Sequence, residues 1–239
     1  MNEAIHIQEP HNRQIAYEPM LAACTGLKVL NLYSGIGGNR KLWENVEVTA
    51  VEYNEEIAAI YKDYHPGDKL IVGNAHEYLL KHYKEFDFIW SSPPCQTHSD
   101  IRRMGVAIGQ NEAVFPDMKL WQEIVFLKHH FKGKWIVENV KPYYKPFVQP
   151  SIQLDRHFIW CNFKVLPMNF EKDNQIKNIN SKTEHYGFDL TKYKMKHRKD
   201  QVLRNCVNPD LGLYILEQAL GVIRQSKVNQ LSLFGSMYY

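Results

Sequence analysis

The sequence predicts an α/β protein with an open, mainly parallel sheet and helices on both faces. Short apolar runs suited to buried strands recur at residues 28–33, 48–53, 70–72, 86–90 and 135–139. Stretches with apolar residues at helical spacing separate them, which is the pattern of parallel strands joined by helical crossovers. Glycine and proline stand at the joints, at Gly35, Gly37, Gly38, Pro66, Gly67, Pro93 and Pro94, where turns need them. A chain of 239 residues is expected to form one main domain with a core of its own.

Residues 1–26 are polar and unpatterned and are expected to form an N-terminal arm. The strand at 28–33 ends in Ser34-Gly35-Ile36-Gly37-Gly38, and a helix is expected from there through Trp43. After the strand at 48–53, Ile57, Ile60, Tyr61 and Tyr64 mark one face of a helix that Pro66-Gly67 stops. A short strand at 70–72 leads to a helix over 75–83, carrying Tyr78, Leu79 and His82. The strand at 86–90 runs into Ser91-Ser92-Pro93-Pro94-Cys95-Gln96. Pro116 reads as the first-turn proline of a helix reaching Phe131, before the strand at 135–139.

One more strand is expected at 157–160, closing a main domain over 27–163. Residues 164–203 lose periodicity and form a short polar segment. Residues 204–225 return to order, with Leu211, Tyr214, Ile215, Gln218, Ala219 and Val222 suiting a helix that completes the domain, and 226–239 reads as a loose tail.

A hydrophobic share of 44% and a net charge of +3 suit a soluble globular chain. No apolar run approaches the roughly 20 residues of a membrane span, and the first residues lack the features of a secretory signal. A cytoplasmic monomer is expected. Cys24, Cys95, Cys161 and Cys206 lie far apart, which argues against a zinc site and a disulfide framework. No metal is expected.

Chemistry gathers at two places. Glycines after a first strand let the backbone turn tightly beside a ligand, but Arg40 stands where a dinucleotide fingerprint wants its third glycine. Glu52 ends the next strand, where a carboxylate accepts both ribose hydroxyls of a nucleoside. Together they favour an adenosyl ligand without a pyrophosphate; the alternative is a structural turn beside a surface glutamate. At the second place, Cys95 follows a strand end, and Glu138 follows an apolar run on the neighbouring predicted strand. A lone cysteine is often an apolar filler, yet a carboxylate beside a buried strand needs a reason. Partial burial raises a carboxyl pKa and suits it to proton donation.

These motifs resemble the DNA (cytosine-5)-methyltransferase family, in family order from Asn31 to about Gly221. Tyr33-Ser34-Gly35-Ile36-Gly37-Gly38 is similar to the family's phenylalanine-x-glycine-x-glycine loop. Pro94-Cys95-Gln96 resembles the nucleophile motif, Glu138-Asn139-Val140 the glutamate-asparagine-valine motif, and Arg204-Asn205-Cys206-Val207 the late asparagine motif. The resemblance implies the Rossmann-like fold of S-adenosylmethionine-dependent methyltransferases and S-adenosyl-L-methionine as cofactor. It further implies double-stranded DNA as partner and methyl transfer to carbon 5 of a flipped cytosine through a Cys95 adduct. Glu138 would bind the ring nitrogen N3, Asn139 would orient Glu138, and Arg156 would contact the base or a nearby phosphate.

Cofactor contacts are expected from Tyr33, Ser34, Gly35, Ile36, Gly37, Gly38, Glu52, Tyr53, Asn74, Ala75, Pro93, Asn205 and Val207. The chain departs from the family pattern in four places. Tyr33 replaces phenylalanine, Asn74 stands where an aspartate usually meets the adenine amino group, and Arg204 replaces a glycine. The arginine motif is reduced to Arg156 within Gln153-Leu154-Asp155-Arg156-His157. An RNA (tRNA) cytosine-5 methyltransferase and a catalytically silent nucleic-acid-binding module are the alternatives, and a restriction–modification setting depends on neighbouring genes.

Residues 164–203 take the place of the family's target-recognition region. Lys192, Lys194, Lys196, Arg198 and Lys199, with Tyr186, Phe188 and Tyr193 nearby, suit phosphate contact and some base contact; a solvated loop is the alternative. Gln96, Ser99 and Arg102, beside the nucleophile, are expected to meet nucleic acid as well. In the tail, Gln230-Leu231-Ser232-Leu233-Phe234 is similar to the peptide by which bacterial proteins dock on the replication sliding clamp, with Gln230, Leu231, Leu233 and Phe234 as anchors.

Overall fold

A computed structural model describes residues 25–168, 170, 183 and 186–222. The expected tail and all but the last two residues of the expected arm lie outside the described residues. Five parallel strands form the body of one sheet: β1 (Leu27–Leu32), β2 (Val46–Glu52), β3 (Lys69–Val72), β4 (Phe88–Ser91) and β5 (Lys134–Val140). A hairpin of β6 (Ile152–Leu154) and β7 (His157–Cys161) completes it, with β7 antiparallel to β5. The order across the sheet is β3-β2-β1-β4-β5-β7-β6.

Side chains alternate along each strand, and the two resulting sets fill separate cores. Val29, Ala50, Phe88, Trp90, Ile136 and Ile159 share one cluster with α6 (Pro209–Ala219) through Leu211, Tyr214, Ile215 and Leu216. Leu30, Leu32, Val51, Ile89, Trp135 and Val137 face the other way. They meet α2 (Ala75–His82) through Leu79, and α4 (Lys119–His130) through Leu120, Trp121, Ile124 and Leu127. Helices therefore cover both faces, as the alternation implied.

The helices start where local chemistry favours them. In α1 (Glu55–Tyr64), the Asn54 side chain accepts from the Ile57 amide, and Glu55 and Glu56 complement the positive end of the helix dipole. The helix expected through Trp43 is instead a series of turns. Asn39 and Asn31 exchange amide hydrogen bonds of 2.8 and 3.2 Å, and the Trp43 indole donates to the Gly212 carbonyl at 3.0 Å. Those long-range bonds hold the segment away from helical geometry. Pro116 lies ahead of α4 rather than in its first turn, because the Asp117 carboxylate accepts from the Lys119 amide and sets the start later. The sequence reading missed the β6 strand and two short helices, α3 (Asp100–Ala107) and α5 (Lys199–Arg204).

A third cluster joins Ile36, Ile57 and Ile60 to Tyr186, Phe188, Leu190, Leu203 and Cys206. Tyr186 and Phe188 are 1% and 0% exposed. They are core residues here rather than base-contacting aromatics, because the glycine loop and α1 present an apolar face that they cover. Residues 186–206 are thus packed onto the domain.

Gly212, inside α6, abuts the Asn39 backbone, and a Cβ there would overlap it. Alanine normally gains about 1 kcal/mol over glycine in a helix; here overpacking of about 1–3 kcal/mol outweighs that gain. Gly212→Ala is therefore expected to lower the urea midpoint of unfolding, and an unchanged or raised midpoint would contradict this packing.

Candidate active site

From β1 the chain proceeds to β2 and β3 on one side, whereas β4 and β5 lie on the other. Strand order thus reverses between β1 and β4, and a crevice outside the carboxyl ends of such strands is where open α/β sheets bind ligands. The glycine loop follows β1, the Cys95 loop follows β4, Glu52 ends β2 and Glu138 lies near the end of β5. All four sit at this edge. Leu32, Ser91 and Val137 are in register across the three central strands.

The Cys95 loop is fastened to β5. The Asn139 side chain donates to the Pro93 carbonyl at 2.8 Å, and its Oδ1 accepts from the Val140 amide at 3.0 Å. Asn139 therefore positions the Cys95 loop, and its side chain is spent there rather than on Glu138, the partner expected of it. Cys95 is half-buried, and its carbonyl accepts from the His98 and Ser99 amides. Burial pushes the Cys95 thiol above its ordinary range, the Glu138 charge adds to the rise, and Arg156 opposes it.

Glu138 is 6% exposed and faces His157, whose Nε2 stands 3.5 Å from the carboxylate. The antiparallel register explains this contact. Glu138 pairs with Ile159, which puts His157 two positions along on the same face. Sequence reasoning missed His157 as the carboxylate's partner; only its place beside Arg156 hinted at a role. Arg156 sits at the tip of the β6–β7 hairpin, where Asp155 takes a positive φ of 50°, and donates to the Arg204 carbonyl at 3.3 Å.

On the cofactor side, Glu52 accepts from the Gly35 amide at 3.0 Å through one oxygen and from the Asn54 amide at 2.9 Å through the other. Each oxygen keeps a lone pair for a ribose hydroxyl. Gly35 takes φ +55 and a Cβ there would meet nothing within 4 Å, so the turn opens onto free space. Gly37 and Gly38 are different: a Cβ would overlap the His65 ring at Gly37, and Cys206 and Val207 at Gly38. Their need is close protein packing, which also brings the late motif back to the loop. The Ser34 hydroxyl is buried without a hydrogen-bond partner among the described residues, a cost of about 1–3 kcal/mol that a polar ligand group would relieve.

A cleft of about 510 Å³ opens where β2 passes into α1, directly after Glu52, and is lined by Tyr53, Asn54, Glu55, Glu56, Val72, Gly73, Lys196 and His197. Its size falls within the usual range of small-ligand pockets.

Other expected cofactor residues have different work. Ile36 and Ala75 are core, 2% and 3% exposed, whereas Tyr53 is 79% exposed at the cleft. Asn74 caps α2, its Oδ1 taking the His76 and Glu77 amides. Both acceptor positions are engaged, so it is not free to meet an adenine amino group. Pro93 serves through its carbonyl, as described, and Asn205 is an exposed residue closing α5. The Tyr33 hydroxyl donates to Glu123 at 2.6 Å, away from a purely apolar cofactor-packing role. Glu123 is fully buried and also accepts from Ser91 at 2.5 Å and from His76 Nδ1 at 2.9 Å. Nothing in the sequence pattern marked it.

Of the expected nucleic-acid contacts, Gln96 is exposed next to Cys95. Ser99 caps α3, and Arg102 turns back to the Glu112 carbonyl, so both are engaged within the protein. Lys192 lies 4.0 Å from Asp63, Arg198 pairs with Asp200, and Lys199 donates to the Thr191 carbonyl. Lys194 is exposed. Gln230, Leu231, Leu233 and Phe234 lie outside the described residues.

The fold and this edge define a protein with a glycine-turn ligand crevice and a thiol–carboxylate pair, and the sequence comparison agrees. The C-5 cytosine-specific DNA methylase family matches residues 27–146, half of the chain, and the chain belongs to that family. S-adenosylmethionine is its cofactor, and Ser34, Gly35, Glu52 and the cleft suit an adenosyl ligand. No curated protein matches the chain in sequence.

Among solved structures, a SAM-dependent methyltransferase from Agrobacterium tumefaciens is 14% identical, over 55% of this chain and 44% of that one, with a TM-score of 0.37. The Entamoeba histolytica methyltransferase EhMeth is 21% identical, over 48% and 38%, with a TM-score of 0.35. A DNMT2 variant from Spodoptera frugiperda is 27% identical, over 48% and 36%, with a TM-score of 0.36. The match thus spans less than half the length of these three proteins. Among the described residues, no helix is long and apolar enough to cross a membrane.

The neighbours of Cys95 dictate how its thiol titrates. The pH midpoint for iodoacetamide alkylation of Cys95, followed by peptide mass spectrometry, is expected above that of a free thiol. It should fall in Glu138→Gln, which removes a negative charge, and rise in Arg156→Ala. A midpoint unmoved by either change would show that these groups do not share the crevice with the sulfur.

Proposed function

We propose that the protein transfers a methyl group from S-adenosylmethionine to carbon 5 of a cytosine in DNA, with Cys95 as nucleophile and Glu138 as proton donor. The observation that carries this reading is one of placement: Cys95 follows β4, Glu138 lies near the end of the neighbouring β5, and Arg156 sits at the β6–β7 tip paired to β5, all at one edge of the sheet. The spacing of the groups follows from the register of β4, β5 and β7.

Carbon 5 of cytosine is a poor nucleophile until carbon 6 is attacked. The Cys95 thiolate adds at carbon 6, and Glu138, protonated, donates to ring nitrogen N3 and stabilises the enamine that results. Bound S-adenosylmethionine supplies the electrophilic methyl group that carbon 5 takes up. A water molecule then takes the carbon 5 proton, the thiolate leaves carbon 6, and N3 returns its proton to Glu138, which restores the aromatic ring.

Charge explains why the pair works as a unit. A thiolate and a carboxylate close together repel, so between them they favour holding one proton. Moving that proton from sulfur to carboxyl creates the nucleophile and the acid in one step without changing net charge. Arg156 favours the thiolate form, and His157 offers Glu138 a partner when it is ionised. In a duplex the cytosine must leave the stack, at a cost of a few kcal/mol. Gln96 at the mouth and the exposed Lys192, Lys194 and Arg198 are suited to holding the strand.

The test measures tritiated methyl incorporation into duplex DNA and into bulk tRNA, with S-adenosylhomocysteine binding followed separately. Cys95→Ala is expected to lose transfer by at least about a thousandfold while still binding S-adenosylhomocysteine. Transfer retained by that variant would falsify the nucleophile assignment, and transfer confined to tRNA would overturn the DNA substrate.

A further inference from the structure

The cleft has walls on three sides. The β2–α1 turn supplies Tyr53, Asn54, Glu55 and Glu56, and the end of β3 supplies Val72 and Gly73. The third wall, Lys196 and His197, comes from the far end of the chain, well outside the 27–146 span that carries the family match.

This third wall is fixed in place. The Lys196 amide donates to both Glu56 oxygens, at 3.1 and 3.4 Å. His197 Nδ1 lies 3.1 Å from the same carboxylate, and the Asn54 side-chain amide reaches its Nε2 at 3.5 Å. Glu52 ends β2, Asn54 caps α1 and Glu56 lies in its first turn, so one short segment positions both the ribose-binding carboxylate and the wall opposite. The Tyr193 hydroxyl, donating to Asp63 at 2.9 Å, fastens the same strap further along α1.

We propose that Lys196 and His197 form the outer wall of the cofactor cleft, with His197, held by Glu56, lying against the adenosyl half of S-adenosylmethionine. This rests on the cofactor reading of the cleft. The flat imidazole offers a face for a purine, and Lys196 borders the same side of the cleft. Lys196 is thereby reassigned from phosphate contact to cofactor binding. The inference does not depend on the methyl group or on Cys95, because it concerns only the end of the ligand remote from the reaction.

The experiment is isothermal titration of the full chain with S-adenosylhomocysteine and with 5′-methylthioadenosine, which keeps the adenosyl half and lacks the amino-acid half. His197→Ala and Glu56→Ala are each expected to weaken both ligands by about five- to tenfold, the scale of one lost contact. Lys128→Ala, on the exposed side of α4, should bind as the wild type does. Thermal unfolding without ligand establishes that both test variants are folded, His197 being exposed and Glu56 half-buried at the surface. Wild-type protein that binds both ligands, with variants that bind equally well, overturns the wall while leaving the cofactor reading intact. Loss for S-adenosylhomocysteine alone also overturns it, since the contact would then lie at the amino-acid end. Wild-type protein that binds neither ligand overturns both readings.

Discussion

Glu123 ties the working edge of the molecule together. Its carboxylate is completely buried, which without partners would cost several kcal/mol. Tyr33, Ser91 and His76 all donate to it, and they belong to the end of β1, the end of β4 and the start of α2. Three segments that must meet at the crevice are thereby fixed relative to one group. Tyr33 holds a φ of 55°, a conformation costing about 1–3 kcal/mol for a residue with a side chain, and its hydroxyl anchors that turn. Burial and the Glu123 charge push the Tyr33 phenol up, so it stays a hydrogen-bond donor across the physiological range.

Partner number sorts the carboxylates at this edge by what they do. Glu123 has a donor from each of three elements and is fully buried, closed off from any ligand, so it is architectural. Glu52 takes two backbone amides and keeps spare lone pairs in a half-exposed position, which suits binding. Glu138 is buried and faces a single imidazole, that of His157, with no backbone amide holding it among the described residues. Sequence position alone would have ranked all three as strand- or helix-borne glutamates. Their surroundings separate them.

The sheet was legible because its information is local. Runs such as 135–139 carry alternating side chains for two cores, and the glycine and proline joints mark where each run stops. Cys95 and Glu138 stood out because the one comes shortly after such a run, behind two prolines, and the other interrupts one near its end. What escaped the sequence depended on distant contacts. The segment before Trp43 has helix-compatible residues, yet Asn31 and Gly212 hold it in turns. Tyr186 and Phe188 look like surface aromatics within a lysine-rich stretch, and only the apolar face of α1 and the glycine loop makes them core. Asn74 and Ser99 carry polar groups that a reader assigns to ligands, whereas the helix starts beside them take those groups first. Asn139 was expected to orient Glu138, whereas the Pro93 carbonyl takes its amide.

Gly38 closes against Cys206 and Val207, and the β1–β4–β5 face rests on Leu211, Ile215 and Leu216 of α6. The segments that floor the crevice are therefore among the last described residues to leave the ribosome. Until they emerge, Val29, Trp90 and Ile136 lack their cover, and a nascent chain through β7 presents an oily slab to its surroundings. Closure of so long a loop slows folding, which makes arrival of the carboxyl-terminal helix the commitment step. Cover of this sheet face is therefore tied to the docking of α6, and the bare slab is open to self-association until that happens.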